Sequence, residues 1–178
     1  FLAKTRLIKY LHEKKGFNVL AFESDFFALN DGWDKINKQK SIIDTFLKNN
    51  IFPIWTVCDA CANLLYNYIP STFSGNNPLQ ITGFDNQLIL THSYYNLAGS
   101  LDSVFKKYDL PITKQPNYAS AILPAIKSLA KYYSLKDPRN NFFAELGGYL
   151  QQIKTEASSR FGSDDFWMMI IDNLVAEN

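Results

Sequence analysis

The stretch Phe17-Asn-Val-Leu-Ala-Phe-Glu23, followed by Ser24 and Asp25, decides the fold. It is short, apolar, aromatic and β-branched, and it begins one residue after the glycine that ends an amphipathic helical pattern over Leu2–Lys15. A run of this kind is typical of a strand buried on both faces, as in a parallel sheet. Glu23 would then lie at the carboxyl end of that strand.

A second strand-like run, Pro78-Leu-Gln-Ile-Thr-Gly-Phe-Asp85, has a β-branched centre and also ends in a carboxylate. Two helical patterns lie between the two runs, over residues 33–47 and 57–69. Strands that alternate with helices are typical of α/β crossover units, in which neighbouring strands run parallel. We therefore predict the α/β class, with parallel strands flanked by helices.

Turn and breaker residues divide the rest of the chain. Asn30-Asp-Gly32 predicts a turn, Pro53 predicts an extended passage, and the segment 70–78 predicts a surface loop. The remaining pattern predicts helices only, over residues 97–108, 118–133, 141–160 and 164–175. We expect an α/β portion over residues 1–95, followed by a mostly helical portion of the same domain over residues 96–178.

The chain carries 18 Lys and Arg and 17 Asp and Glu residues, for a formal net charge of +1 at pH 7. Nucleic-acid binding that relies on counterion release needs a concentrated positive face, and no basic run is longer than Lys14-Lys15. No apolar stretch approaches the roughly 20 residues needed to cross a bilayer. We therefore expect a protein that binds neither nucleic acid nor membrane, and the composition leaves the oligomeric state open. Two cysteines without a signal sequence favour a cytoplasmic location.

Two acidic residues stand at the ends of the predicted strands, Glu23 and Asp85. In open α/β sheets, ligands bind outside the carboxyl ends of the strands, where side chains are free of the packed layers. The two carboxylates are therefore predicted to share one cleft. The alternative is that one or both are helix N-caps or loop residues.

Cysteine and histidine residues offer other chemistry. Cys58 and Cys61 open a predicted helix at a spacing typical of redox dithiols, although this spacing also allows both thiols to face the core. We expect His12 to be a surface residue, and His92 could reach the same rim as Asp85. A structural zinc site would need both cysteines and both histidines to converge, so we predict no metal and no cofactor.

The run from Lys4 to Ser24 resembles the first helix and second strand of the erythromycin esterase family, which includes members named succinoglycan biosynthesis proteins. Ile51-Phe-Pro-Ile-Trp55 is similar to the family's aromatic turn, and residues 78–87 are similar to its Gly-x-Asp-x-Gln strand end. The resemblance is continuous over about residues 1–95 and patchy beyond. It implies the α/β fold of that family, incomplete in this chain.

The resemblance implies a bacterial, metal-independent hydrolase of macrolactone-like esters, with a role in macrolide antibiotic resistance. Glu23 matches the family's active-site Glu, which would orient the base or the water. Lys4 occupies a position where some members have Arg, and Lys4 would contact the substrate. Asp85 and Gln87 match residues of the family's cleft wall and would also bind substrate. The family's histidine segments, Gly-Glu-x-x-His and Ala-His-Asn-x-His, have no match in this chain, so we expect it to be catalytically impaired. No family motif selects His92.

Two other functions stay open from the sequence. A thiol-disulfide oxidoreductase would use Cys58 and Cys61, and loss of activity on Cys58→Ser would indicate it. A non-catalytic binding module would hold a small molecule in an aromatic cleft, and ligand-induced stabilisation without product formation would indicate it.

Overall fold

The structure is a computed structural model that describes residues 2–132 and 141–178. The chain divides into two units, Phe1–Asp85 and Asn86–Asn178. Its described residues are mostly helical, with one small parallel sheet of two strands, which is compatible with the predicted α/β class. Every helix in these residues is too short or too polar to cross a bilayer.

The first helix, α1 (Leu2–Lys15), ends as its sequence predicts. Gly16 has a φ of +75°, a left-handed conformation that glycine adopts without a Cβ penalty. The Phe17 N–H donates to Leu11 O over 3.2 Å, which ties the residue after Gly16 back to the last turns of the helix. The chain therefore turns out of the helix within two residues and enters the first strand.

Strands β1 (Val19–Asp25) and β2 (Gln80–Asp85) pair in parallel, which confirms the predicted strand direction. The register places Val19 opposite Gln80 and Phe22 opposite Gly83, with an irregularity between Phe22 and Asp25. Because the strands are parallel neighbours, their carboxyl ends meet at one edge of the sheet.

The burial of β1 differs from the predicted strand that is covered on both faces. Phe22 and Ser24 are buried, whereas Val19, Ala21 and Glu23 are exposed. Successive side chains of a strand point to opposite faces, so only one face of β1 packs on the core. The predicted burial of both faces is wrong. The exposed positions 19 and 21 carry apolar residues, so the sequence does not show the alternation.

Gly83 allows the two strands to approach closely at the irregular part of the register. A Cβ at this position would lie 2.6 Å from Asp25 O and 2.7 Å from Ser24 O. These distances leave no room for a side chain, so the sheet requires glycine here.

Two helices follow β1 in place of the single helix predicted over residues 33–47: α2 (Phe26–Lys35) and α3 (Lys40–Asn50). The turn predicted at residues 30–32 is wrong, because these residues lie inside α2. The Asn30 side chain donates to Phe26 O over 2.7 Å and to Gly83 O over 3.0 Å. Asparagine is frequent in turns, but here its side-chain amide joins α2 to β2.

The chain continues through α4 (Pro53–Thr56), α5 (Asp59–Ala62), a π-helical turn (Asn63–Tyr68) and α6 (Ile69–Thr72). Pro53 begins a helix where an extended passage is predicted, since its fixed φ and missing N–H suit the first helical turn. The helix predicted over residues 57–69 is present as a continuous run from Asp59 to Thr72 that changes from α-helical to π-helical and back. Its π-helical part comes just before Pro70, which has no N–H with which to continue α-helical bonding.

Apolar side chains of both strands and of helices α2, α3, α5 and α6 form the core of the first unit. Trp33 is at its centre, in contact with the rings of Phe46 and Phe73, and its indole N–H donates to Gln80 Oε1 over 2.9 Å. Other members of this core are Phe22, Leu29, Ile43, Leu47, Ile51, Cys61, Leu64, Leu65, Tyr68, Ile69, Leu79 and Ile81. The core therefore holds the sheet against the helices that follow β1.

The second unit contains α7 (Thr91–Lys107), a 3-10 turn (Pro111–Lys114), a π-helical turn (Tyr118–Ile122), α8 (Leu123–Tyr132), α9 (Asn141–Ser158) and α10 (Phe166–Glu177). Its helices confirm the predicted character of this part of the chain, although α7 begins earlier than residue 97. Residue 133, the predicted end of one helix, lies outside the described residues. Buried side chains include Leu101, Phe105, Leu150, Ile153 and Ile171.

Candidate functional site

A groove of about 270 Å³ lies on the first unit. Its lining comes from α1, β1, α4, the first π-helical turn and β2: Lys4, Ile8, Leu20, Ala21, Phe22, Glu23, Trp55, Leu64 and Phe84. Two of the four residues predicted for the site, Lys4 and Glu23, are therefore brought together in one lining. They are its charged members, and the other seven side chains are apolar or aromatic.

Trp55 links the parts of the groove that carry these two charges. Its indole N–H donates to the backbone O of Glu23 over 3.1 Å, which holds the ring beside β1. Lys4 Nζ lies 5.7 Å from the centroid of the same ring, within the range of a cation–π contact. The sequence pattern assigns no role to Trp55, although the family resemblance includes the aromatic turn that carries it.

The two acids at the end of β1 have different environments. Asp25 is fully buried, and its Oδ1 accepts a hydrogen bond from the Ala28 N–H over 2.8 Å, which caps the start of α2. Glu23 has an exposed side chain that lines the groove. The capping residue of this segment is therefore Asp25, and Glu23 is left for another role.

Asp85 and Gln87 are not part of the groove lining. Asp85 ends β2 opposite Asp25 and is half-buried, and Gln87 lies in the second unit, before α7. The groove thus contains Glu23 without the second acid that the sequence predicts beside it. A substrate-binding role of Asp85 and Gln87 stays a prediction. His92 lies in the first turn of α7.

The prediction that His12 is a surface residue is wrong. Its side chain is 6% exposed, with Nε2 2.9 Å from Asn77 O and Nδ1 2.7 Å from the Tyr68 hydroxyl oxygen. The same hydroxyl lies 3.1 Å from Glu13 Oε1. Local helical periodicity cannot reveal this cluster, because two of its members are 56 and 65 residues from His12 along the chain.

The two cysteines differ in access to solvent. Cys58 is exposed and Cys61 is buried, and both are free thiols. The Cys61 N–H donates to Cys58 O over 2.8 Å, which closes one turn between them. In the part of the chain that the structure describes, no three or more His, Cys, Asp and Glu side chains form a group that could hold a metal ion.

No family model matches the chain. Over 84 residues it is 38% identical to a protein of Bacillus subtilis (strain 168) named "Putative hydrolase YbfO". The match covers 47% of this chain and 18% of that protein. The sequence comparison thus supports a likeness to a hydrolase over less than half of the chain.

A crystal structure of a protein from Bacillus cereus is similar to the whole fold, with a TM-score of 0.50 and 16% sequence identity. The similarity covers 98% of this chain and 41% of that chain. At this identity the likeness concerns the fold alone. The chain therefore matches less than half the length of either protein, and its helices and small parallel sheet are compatible with an α/β-type fold.

Proposed function

We propose that this chain supplies the Glu23 side of the active site of a metal-independent ester hydrolase of the erythromycin esterase type. The observation that carries the proposal is the groove in which Glu23 and Lys4 are the charged members of an otherwise apolar wall. The 38% identity to a protein named as a hydrolase supports the reaction class. The family fold, a macrolactone-like substrate and a role in macrolide resistance belong to the same proposal and rest on the resemblance over residues 1–95.

Glu23 would act on the attacking water. Its carboxylate is exposed in the groove and does not cap a helix, so a water molecule can donate a hydrogen bond to it. This bond directs a lone pair of the water toward the ester carbonyl carbon. In the family a histidine takes the proton, and Glu23 would hold the water or that histidine in position.

Lys4 would stabilise the negative charge that develops on the carbonyl oxygen during attack. A cation in a groove with apolar walls acts more strongly than one in open water, because the local dielectric constant is lower. The Trp55 ring beside Nζ restricts where this cation lies. Lysine provides a point charge and lacks the planar fork of arginine, so its contribution is charge and not bidentate orientation.

The size of the groove limits what it can enclose. Its volume of about 270 Å³ is just below the range of roughly 300–1,000 Å³ that is typical of small-molecule sites. The groove would therefore enclose the ester and the neighbouring carbon atoms of a large lactone and leave the rest of the ring outside. The apolar lining favours esters with hydrocarbon substituents over charged ones.

Glu23→Gln tests the proposed role with little change of shape. We expect hydrolysis of a macrolactone and of a p-nitrophenyl ester to fall by about 10²–10⁴-fold, since a neutral amide cannot hold the water or the histidine base in position as a carboxylate does. The measurement applies to any longer natural protein that contains this chain together with the family's histidine segments, since this chain alone is expected to be impaired. Asp34→Asn is the matched control, because Asp34 is an exposed carboxylate of the same unit outside the groove.

Equal rates in the two variants would show that Glu23 has no catalytic part. Lys4→Met should lower the rate as well, whereas Lys4→Arg should retain most of it because the charge remains. If a macrolactone raises the melting temperature of a longer protein that includes the histidine segments while no product forms, the groove belongs to a non-catalytic binding module instead.

A further inference from the structure

We propose that Cys58 and Cys61 form a dithiol that exchanges with an accessible disulfide, with Cys58 as the attacking thiol and Cys61 as the resolving thiol. This activity is independent of the proposed hydrolase, because neither sulfur lines the groove. They are also the only two cysteines of the sequence, so no other thiol of the chain can take part.

The backbone brings the two cysteines into the range of a disulfide. The hydrogen bond from Cys61 N to Cys58 O over 2.8 Å makes a tight turn of the four residues. The Cα atoms at the ends of such a turn are less than about 7 Å apart, and disulfides span roughly 4.4–6.8 Å between Cα atoms. The pair can therefore close without a large movement of the chain.

Solvent exposure indicates which cysteine attacks the substrate and which resolves the mixed disulfide. Cys58 is exposed, and the nearby side chains of Ile54 and Val57 are also exposed, at 74% and 78%. An incoming disulfide therefore reaches Cys58 without displacing packed side chains. Cys61 is 0% exposed and belongs to the core of the first unit, so an external disulfide cannot reach it first.

The electrostatic environment agrees with this assignment. A hydrogen bond from the Cys61 thiol, followed by one from the Ala60 backbone N–H, lowers the pKa of Cys58 from its ordinary value. Burial, followed by the neighbouring Cys58, raises the pKa of Cys61 to about 11. The thiolate, which is the nucleophile in exchange, thus forms at the exposed sulfur first.

The exchange proceeds in two substitutions. The Cys58 thiolate attacks one sulfur of the substrate disulfide, the substrate S–S bond breaks, and the first leaving thiolate takes a proton from water. Cys61 then loses its proton to water, and its thiolate attacks the Cys58 sulfur of the mixed disulfide. The second leaving thiolate is protonated in turn. One substrate disulfide is reduced to two thiols, and the two cysteines are oxidised to one disulfide.

Mass spectrometry of the full chain after reaction and acid quenching tests each step. One arm uses glutathione disulfide as the small-molecule source of the disulfide, and the other uses insulin as a polypeptide source. In the wild type we expect both thiols to disappear without a lasting adduct. In Cys61→Ala we expect a stable adduct on Cys58, and in Cys58→Ala we expect the reaction to be lost.

Reaction in only one arm identifies the source of the disulfide and supports the exchange. The proposal is overturned if the wild type reacts in neither arm, or if its adduct persists as long as that of Cys61→Ala. Faster reaction of Cys58→Ala than of Cys61→Ala would also overturn it, because the roles of the two thiols would then be reversed. The wild-type result decides the matter even if a variant fails to fold.

Discussion

The buried cluster around His12 shows how one side chain determines the hydrogen bonding of its neighbours. The Asn77 carbonyl can only accept, so His12 Nε2 carries a proton. The single hydroxyl proton of Tyr68 faces two acceptors, Glu13 Oε1 and an unprotonated His12 Nδ1. It can serve only one of them. When the imidazole carries both protons, Nδ1 donates to the Tyr68 oxygen, Tyr68 donates to Glu13, and every bond of the cluster is formed.

Tyr68→Phe should lower the free energy of unfolding by about 1–3 kcal/mol, because it leaves the buried Nδ1 of His12 without this partner. Urea denaturation measures the change. Tyr66→Phe is the matched control, since the Tyr66 hydroxyl makes one long hydrogen bond of 3.4 Å to Thr56 O and its side chain is half-buried. Equal losses in the two variants would show that the cluster contributes nothing specific.

The same tyrosine predicts a loss of stability at alkaline pH. Burial, and then the hydrogen bond and charge of Glu13, raise the pKa of Tyr68 to about 12. The unfolded chain releases this proton near pH 10 and the folded chain retains it, so stability is present below about pH 10 and is lost as the pH rises toward about 12. Urea midpoints across this interval should fall less steeply for Tyr68→Phe than for the wild type. Parallel slopes would contradict the assignment.

At the scale of the elements, the pairing of β1 and β2 depends on Gly83, where the close approach of the strands leaves no room for a side chain. Gly83→Ala should destabilise the fold by about 1–3 kcal/mol or more, because the new Cβ would meet two backbone oxygens of β1 that cannot move independently. Gly75→Ala is the control, since its Cβ would lie 3.6 Å from the nearest atom, Thr72 O. We expect the control to stay within about 0.5 kcal/mol of the wild type in urea denaturation. Similar midpoints for both variants would contradict the close approach.

The elements also show where sequence patterns succeed and where they fail. The end of α1 is predicted correctly, since glycine after a basic turn acts through its own backbone conformation. The turn predicted at residues 30–32 fails because Asn30 finds acceptors both in α2 and in β2. The extended passage at Pro53 fails because proline suits a first helical turn as well as a strand edge. Local rules are therefore reliable where a residue's own backbone conformation allows one outcome, and they fail where it allows two or where a distant partner intervenes.

At the scale of the whole molecule, we propose that residues 1–95 and 96–178 are parts of one domain. A unit of half the chain buries a smaller share of its unfolded surface than the full 178 residues can, so we expect the chain to unfold in one transition. Trp167→Phe leaves Trp33 and Trp55 as the tryptophans of the chain, both in the first unit. Its fluorescence transition in urea should coincide with the far-UV circular dichroism transition, which reports helices of both units. Two separate midpoints would indicate independent domains.

The sequence by itself determined the parallel pairing of two strands, the helical character of the second half, and Glu23 and Lys4 as candidates for one site. The first two follow from periodicity and composition, Glu23 follows from its position at a predicted strand end, and Lys4 follows from the family resemblance. Only the tertiary structure decided that Trp55 lies between these two residues, that Asp25 and not Glu23 caps α2, and that His12 is buried. Such contacts depend on strand register and on packing between segments far apart in the chain. Their geometry is therefore set when the core closes and not by any local pattern.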